Sequence, residues 1–282
     1  MSVQSAHVAE LADACASGAH GETLGGSNPL VSTAPFPCAR PCEFRRNFVM
    51  ETNLPQQNPN FVRRTFAAIA TRYDLANHLL SGGFDFWWRA RAASIIAGEQ
   101  PRRILDLATG SGDLALALRK ASSRSLIVAA DFCLPMLEIA KGKRVPALVQ
   151  ADGLQLPFQD GKFDALTVAF GLRNMAAWDK ALQEMARVLR PGGVLLVMDF
   201  SLPEPTPLRT IYRFYLHKVL PRFAAVITGH REAYEYLGSS IESFPRGRKM
   251  EELMQASGFT EFRARPLCWG VASIYTACKA YK

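Results

Sequence analysis

The chain has 282 residues, 49% hydrophobic, 21% charged and 10% aromatic, a globular composition that excludes a disordered, collagenous or disulfide-scaffold protein. Its formal net charge is +8, and the first 50 residues are net −1, so the remainder carries +9; nucleic acid, an anionic membrane surface or solubility alone could each use that excess. No stretch supplies the roughly 18 consecutive apolar residues of a membrane span, and the six scattered cysteines, with only Cys38 and Cys42 close together, argue against a zinc site and for a reducing compartment.

Residues 1–50 are rich in Ala, Gly, Ser, Pro and Thr without a periodic apolar pattern, so a disordered extension is expected there, with Met50 as an alternative start. They carry neither a signal-peptide pattern nor an Arg-rich presequence. Residues 51–282 read as one domain. Apolar spacing predicts a helix from Phe61 and a second from Trp87 to Ala97. Five short runs rich in Val, Ile and Leu then follow, Ile104–Leu107, Leu126–Ala130, Ala147–Gln150, Ala165–Phe170 and Val194–Phe200, mostly separated by helical patterns. This alternation predicts a doubly wound, mostly parallel α/β sheet. Two last runs, Thr260–Leu267 and Val271–Ala280, are joined by three residues, too few for a parallel crossover, so the sheet should end in antiparallel pairing.

Ile104 to Asp113 reads as a buried strand, a glycine turn and a helix start. Gly110 and Gly112 allow the sharp turn and close approach to a ligand, and Ser111 lies between them. With Ala115 the pattern is also a legal dinucleotide fingerprint. Asp106 and Asp113, however, would face two phosphates, whereas S-adenosylmethionine carries no phosphate and is net positive, so the same acids would attract it. A bland alternative has Asp113 only favouring the helix dipole. Asp131, ending the second run, can accept from ribose hydroxyls. Asp152, followed by Gly153, can accept from an adenine amino group beneath Leu156, Pro157 and Phe158, or simply make a turn. Ala169, at the end of the fourth run, completes the expected cofactor wall.

Three segments go beyond a generic cofactor fold: Tyr73 to Trp88 (YDLANHLLSGGFDFWW), Phe170 to Asn174 (FGLRN), and Arg187 to Gly193 (RVLRPGG) continuing to Asp199-Phe-Ser201. With their spacing, these resemble the C-methyltransferases of ubiquinone and menaquinone biosynthesis from about Phe61 to the C-terminus. Departures from the family pattern are Ala76 for Met, Asp85 for His, Arg190 for Lys, Asp199 for Glu, Thr109 for Gly and Ser111 for Thr. The resemblance implies a class I S-adenosylmethionine-dependent methyltransferase fold and methyl transfer to a ring carbon of a prenylated quinol. Demethylmenaquinol is the preferred substrate and a methoxy-polyprenyl-benzoquinol the alternative. It also singles out Arg173 and Asn174, after the fourth run, as catalytic candidates, with Tyr73 and His217 as weaker ones. A guanidinium can stabilise a phenolate and an amide can orient a ring oxygen or a water; the structural alternative pairs Arg173 with a surface carboxylate and makes Asn174 a helix cap.

Competing readings are a nucleic-acid binder or RNA methyltransferase, suggested by charge and by interleaved aromatic and basic residues in Arg209–Arg222, and a nicotinamide dehydrogenase. No base-amino tetrapeptide follows the fourth run, so no nucleic-acid partner is expected. Leu208–Phe223 has an apolar stripe (Leu208, Ile211, Tyr212, Tyr215, Leu216, Val219, Leu220) beside Arg209, Arg213 and His217. It suits either a peripheral contact at the inner face of a membrane, from the cytoplasm, or a lid on the core. A homo-oligomer is compatible with everything in the sequence.

Overall fold

The computed structural model describes residues 81–204, 206–222 and 231–281, preceded by Val62, Arg64, Thr65, Ala67 and His78. The expected extension, most of the helix expected from Phe61, Tyr73 and Phe223 lie outside these described residues.

Gly82 and Gly83, both at positive φ, turn the chain into helix α1 (Phe84–Gly98). Alternation then begins with β1 (Arg103–Leu107), α2 (Asp113–Ala121), β2 (Leu126–Asp131), α3 (Leu134–Gly142) and β3 (Ala147–Gln150). It continues through β4 (Phe163–Ala169), a 3-10 turn (Leu172–Asn174), α4 (Trp178–Val188) and β5 (Leu189–Phe200). Helix α5 (Thr206–Phe214) runs into a π-helical turn (Tyr215–Val219), and α6 (Arg231–Ser243), α7 (Arg248–Ala256), β6 (Phe259–Leu267) and β7 (Ala272–Lys279) close the described chain.

The seven strands form one sheet in the order β3-β2-β1-β4-β5-β7-β6. β1 to β5 pair in parallel, while β7 lies antiparallel between β5 and β6. All five expected parallel runs are strands, and the last two form a hairpin in which β7 alone runs against the rest of the sheet, as the short link between them led one to expect. The sheet reverses direction between β1 and β4, and open α/β sheets take ligands at that reversal, beyond the carboxyl ends of the strands.

The apolar runs are continuous because helices cover both faces. On one face Ile104, Ile127, Ala129, Ala165, Leu196 and Met198 pack with Trp88, Ala92 and Ile96 of α1 and Leu114 and Leu118 of α2. Edge strand β6 carries Glu261 and Arg263 exposed, charges that discourage pairing with another chain. Asp164 anchors the amino ends by accepting from the Arg102 and Arg103 amides at 2.9 and 2.8 Å and from Arg190 Nε at 2.6 Å.

The stripe on 208–223 divides. Leu216 and Leu220 are buried with Leu202 and Ile241, and Tyr212 and Tyr215 pack on that cluster. Ile211 and Phe214 stay exposed. The cations are engaged: Arg209 donates to the carbonyls of Pro203 and Glu204, and Arg213 and His217 reach Glu242. The second half of the segment therefore packs on Leu202 and α6, and the weaker candidate His217 lies at the surface with its Nε2 3.1 Å from Glu242.

Gly112 provides a test of packing behind the glycine loop. It sits at φ +86, and a Cβ there would lie 2.5 Å from Val145 Cγ2 and 3.2 Å from the Ala140 Cβ. Overpacking plus a left-handed alanine should make Gly112→Ala less stable by about 2–4 kcal/mol, read as a lowered urea midpoint at unchanged m-value.

Candidate active site

The site is assembled where β1 and β4 end. Ala108 and Phe170 follow these strands, and both adopt left-handed backbone conformations, φ 53 and 57. Such non-glycine residues cost on the order of 1–3 kcal/mol each and persist only where their surroundings impose them. Here the surroundings are each other, because a Cβ on Gly171 would collide with that of Ala108. The two turns can meet only with glycine at 171.

Together they line an open cleft, bounded among others by Gly110, Asp131, Asp152, Gly153, Ala169 and Asn174. Six of the sequence candidates thus line one cleft. Gly110 keeps open space at its Cβ position, whereas Ser111 and Gly112 are buried behind the loop, and Asp106 and Arg173 stand behind the lining.

Asp131 accepts from the Gly110 amide and the Cys133 amide, each at 2.8 Å, and so ties the glycine loop to the end of β2. Burial outweighs these bonds and raises its carboxyl above the ordinary value. Asp152 is exposed at the cleft and accepts from the Leu154 amide at 2.9 Å, so the turn reading holds while the residue still lines the cleft. The expected apolar cover lies elsewhere. Leu156 and Phe158 are buried, with Phe158 packed edge-on against Phe163 at 5.1 Å, and Leu154 is the cleft residue of this segment. Arg187 holds the segment by donating to the carbonyls of Leu156 and Phe158.

Asp106 lies inside β1, fully buried, accepting from Thr109 Oγ1 at 2.6 Å and Thr167 Oγ1 at 2.8 Å. Burial pushes its carboxyl up to about 6. Asp113 faces away from the expected role altogether: its carboxylate pairs with Lys143 at 2.5 Å.

Arg173 also differs from expectation. Its partner is not a surface carboxylate but Asp199, itself 1% exposed, at 2.5 Å. Burial raises the Asp199 carboxyl despite the Arg173 charge beside it. The guanidinium also donates to the Phe170 carbonyl at 2.6 Å and lies over the Phe200 ring, while its Nε has no hydrogen-bond partner among the described residues. Asn174 caps no helix; its amide donates to the same Phe170 carbonyl at 3.2 Å and accepts from the Tyr236 hydroxyl at 3.1 Å.

Behind Phe170 lies a second charged group. Asp85, 3% exposed, accepts from Ser81 at 2.6 Å, contacts His78 Nδ1 at 2.7 Å and pairs with Arg89, whose guanidinium sits over the Phe170 ring. Burial raises this carboxyl, but the Ser81 bond and the Arg89 charge bring it below the ordinary range. Sequence reasoning missed Phe170 and Ala108 as strained turn residues, since neither residue type signals a left-handed backbone. It also missed Tyr236, which reaches the site from a distant helix.

Residues 52–279 match the ubiE/COQ5 methyltransferase family. The chain belongs to that family. Similar relatives include a Thermus thermophilus demethylmenaquinone methyltransferase, 46% identical across 74% of this chain and 97% of its own length. A Deinococcus radiodurans demethylmenaquinone methyltransferase is 40% identical across 79% and 95%. The ubiquinone/menaquinone biosynthesis C-methyltransferase UbiE of Syntrophotalea carbinolica is 42% identical across 77% and 94%. Among solved structures, a SAM-dependent methyltransferase from Thermotoga maritima aligns with a TM-score of 0.57 at 19% identity, covering 77% of this chain and 99% of its own, which bears on the fold. Family membership makes this protein a methyltransferase, and neither the dehydrogenase nor the RNA reading gains support from any of these similarities. The donor set fits a methyltransferase cofactor: an open glycine at 110 and two buried carboxylates without a cationic hydrogen-bond partner, Asp106 and Asp131, suit a ligand carrying positive charge.

Asp106 gives the methyltransferase a measurable acid signature. Its carboxyl is raised from 3.8 to about 6 in the fold, so the folded state binds the proton more tightly and stability falls as pH rises from about 4 to 6, by about 3 kcal/mol from this group. In urea titrations of the unliganded protein, the wild-type free energy minus that of Asp106→Asn should decline across that interval and level off above it.

Proposed function

We propose that this methyltransferase moves a methyl group from S-adenosylmethionine to a ring carbon of demethylmenaquinol. The observation that carries the reading is that Gly110, Asp131, Asp152, Gly153, Ala169 and Asn174 line one cleft, with Arg173 bonded to the Phe170 carbonyl behind it. We assign the first five to a cofactor wall and Asn174 with Arg173 to a substrate wall. The relatives named for demethylmenaquinone methylation span nearly their whole length on this chain, which favours the naphthoquinol over the benzoquinol. Domain 51–282 is the unit proposed to act.

Bound on the first wall, S-adenosylmethionine supplies an electrophilic sulfonium methyl. Asp131 offers the remaining lone pairs of its two oxygens to ribose hydroxyls while its amide bonds hold the glycine loop. Asp152 offers acceptors to the base, and Asp106 contributes negative charge from beneath. On the second wall, the substrate must lose a hydroxyl proton so that the ortho carbon can attack. The carbon–sulfur bond then breaks as the carbon–carbon bond forms, and the ring proton leaves to restore aromaticity. Asn174 orients the ring oxygen or a water beside it. Arg173 favours the phenolate by its charge from behind the lining, a charge partly offset by Asp199, and holds the Phe170 carbonyl to which Asn174 is bonded. Tyr73 is proposed on the same wall from the resemblance alone. Excluding water and fixing the carbon in line supplies much of the rate.

A peripheral membrane contact is proposed as the route to the prenyl tail. Exposed Ile211 and Phe214 and the aromatic residues Phe84, Trp87 and Trp269 support it, since such side chains settle at lipid–water boundaries. No helix of the described residues is long and apolar enough to cross a membrane.

The deciding assay incubates the protein with S-adenosylmethionine and either demethylmenaquinol or the methoxy-polyprenyl-benzoquinol, kept reduced in detergent. Naphthoquinol should gain one methyl by mass spectrometry, and faster turnover of the benzoquinol would replace the proposed substrate. Asp131→Ala should weaken S-adenosylhomocysteine binding by about 1.5–3 kcal/mol in isothermal titration, through lost charge-assisted bonds. Arg173→Lys is the informative variant on the opposite wall, because Arg173→Ala would strand buried Asp199 at about 3–5 kcal/mol. The lysine should lower turnover and leave cofactor affinity unchanged.

A further inference from the structure

We infer that Tyr236 is a positioning residue for methyl transfer, acting through Asn174. The inference rests on the proposed role of Asn174 in the quinol wall and goes beyond it by bringing a residue from α6 into the machinery. Asn174 lines the cleft, and a free amide there could present either its oxygen or its nitrogen to a substrate. Two contacts remove that freedom. The nitrogen donates to the Phe170 carbonyl at 3.2 Å, and the oxygen accepts from the Tyr236 hydroxyl at 3.1 Å. A flipped amide would place an acceptor against the carbonyl and a donor against the hydroxyl, losing the first bond outright.

The first contact alone is shared. Phe170 offers one carbonyl to both Asn174 and Arg173, and the guanidinium bond is the shorter at 2.6 Å. The second contact fixes the oxygen of Asn174 independently of Arg173. Its donor is well anchored: Tyr236 is 8% exposed, on a helix whose Ile241 lies in the cluster with Leu216 and Leu220. Helix α6 also presses closely on the π-helical turn, where a Cβ added at Gly238 would meet the His217 ring at 3.3 Å. Tyr236 therefore couples the orientation of a cleft amide to the packing of α6 on the segment 202–220.

Tyr236→Phe keeps the ring and removes the donor. With S-adenosylmethionine and demethylmenaquinol, kcat should fall about tenfold, with the KM for quinol and the affinity for S-adenosylhomocysteine changed less than twofold. A purely structural tyrosine could lower kcat as well, so the decisive measurement is a double-mutant cycle. On an Asn174→Ala background, Tyr236→Phe should lower kcat less than twofold further, since the group it orients is already gone. A full second tenfold loss in the double variant, or an undiminished kcat in Tyr236→Phe, would overturn the inference while leaving the proposed reaction standing. Wild-type protein inactive on both quinols would instead remove the proposed reaction, and the inference with it.

Discussion

The site depends on one steric constraint, the contact between the turns that leave β1 and β4. Parallel neighbours at a topological switch send their connections to opposite faces, so a crevice opens between them. Ala108 and Phe170 take left-handed conformations at its two lips, and Gly171 is the only residue type that lets the lips touch. Each functional group then follows from one lip. On the β1 side, the turn carries Gly110 to the amide contact with Asp131. On the β4 side, it aims the Phe170 carbonyl so that Arg173 and Asn174 both bond to it. The backbone strain is local, and the packed sheet beneath supplies the rigidity that sustains it.

Electrostatics divide along the same line. Four buried carboxylates gather near these strand ends. Asp85 and Asp199 each pair with an arginine, Arg89 and Arg173, and both arginines lie against rings of the Trp88, Phe170 and Phe200 cluster. Asp106 and Asp131 have only hydroxyl and amide donors, so burial raises both. The cleft is therefore negative on its glycine-loop side and close to neutral on its Asn174 side. A cationic ligand suits the first, where its charge would lower both carboxyls again, and an aromatic, weakly polar ring suits the second. A dinucleotide fits poorly, although Asp113 is not a reason for that, since Lys143 neutralises it.

The sheet was legible in the sequence because its runs are short, apolar and separated by helical periodicity, and the three-residue link at 268–270 forces a hairpin. The place of β7 between β5 and β6 was not legible, since pairing partners are a tertiary choice that leaves no local pattern. Glycines and acids at strand ends located residues that line the cleft, but not which face each acid would present. Asp106 and Asp113 read alike as carboxylates near a glycine turn, yet one is sealed beneath the site and the other is salt-bridged away from it. The stripe on 208–223 was visible, whereas its division was set by α6, whose Ile241 buries Leu216 and Leu220 and leaves Ile211 and Phe214 outside.

Arg173 shows why a residue's charge does not settle its chemistry. A free guanidinium beside a quinol would hold a phenolate by charge alone, but a guanidinium bonded to a buried carboxylate adds little net field at a distance. What it retains is direction. Its NH1 group is committed to Asp199 and the Phe170 carbonyl, and the Nε proton has no partner among the described residues. A buried donor left unpaired costs about 1–3 kcal/mol, so the position of the guanidinium is set by the two bonds of NH1 and not by Nε. The carboxylate that weakens the field of Arg173 is therefore also what fixes its geometry, and through the shared Phe170 carbonyl it bears on Asn174 as well.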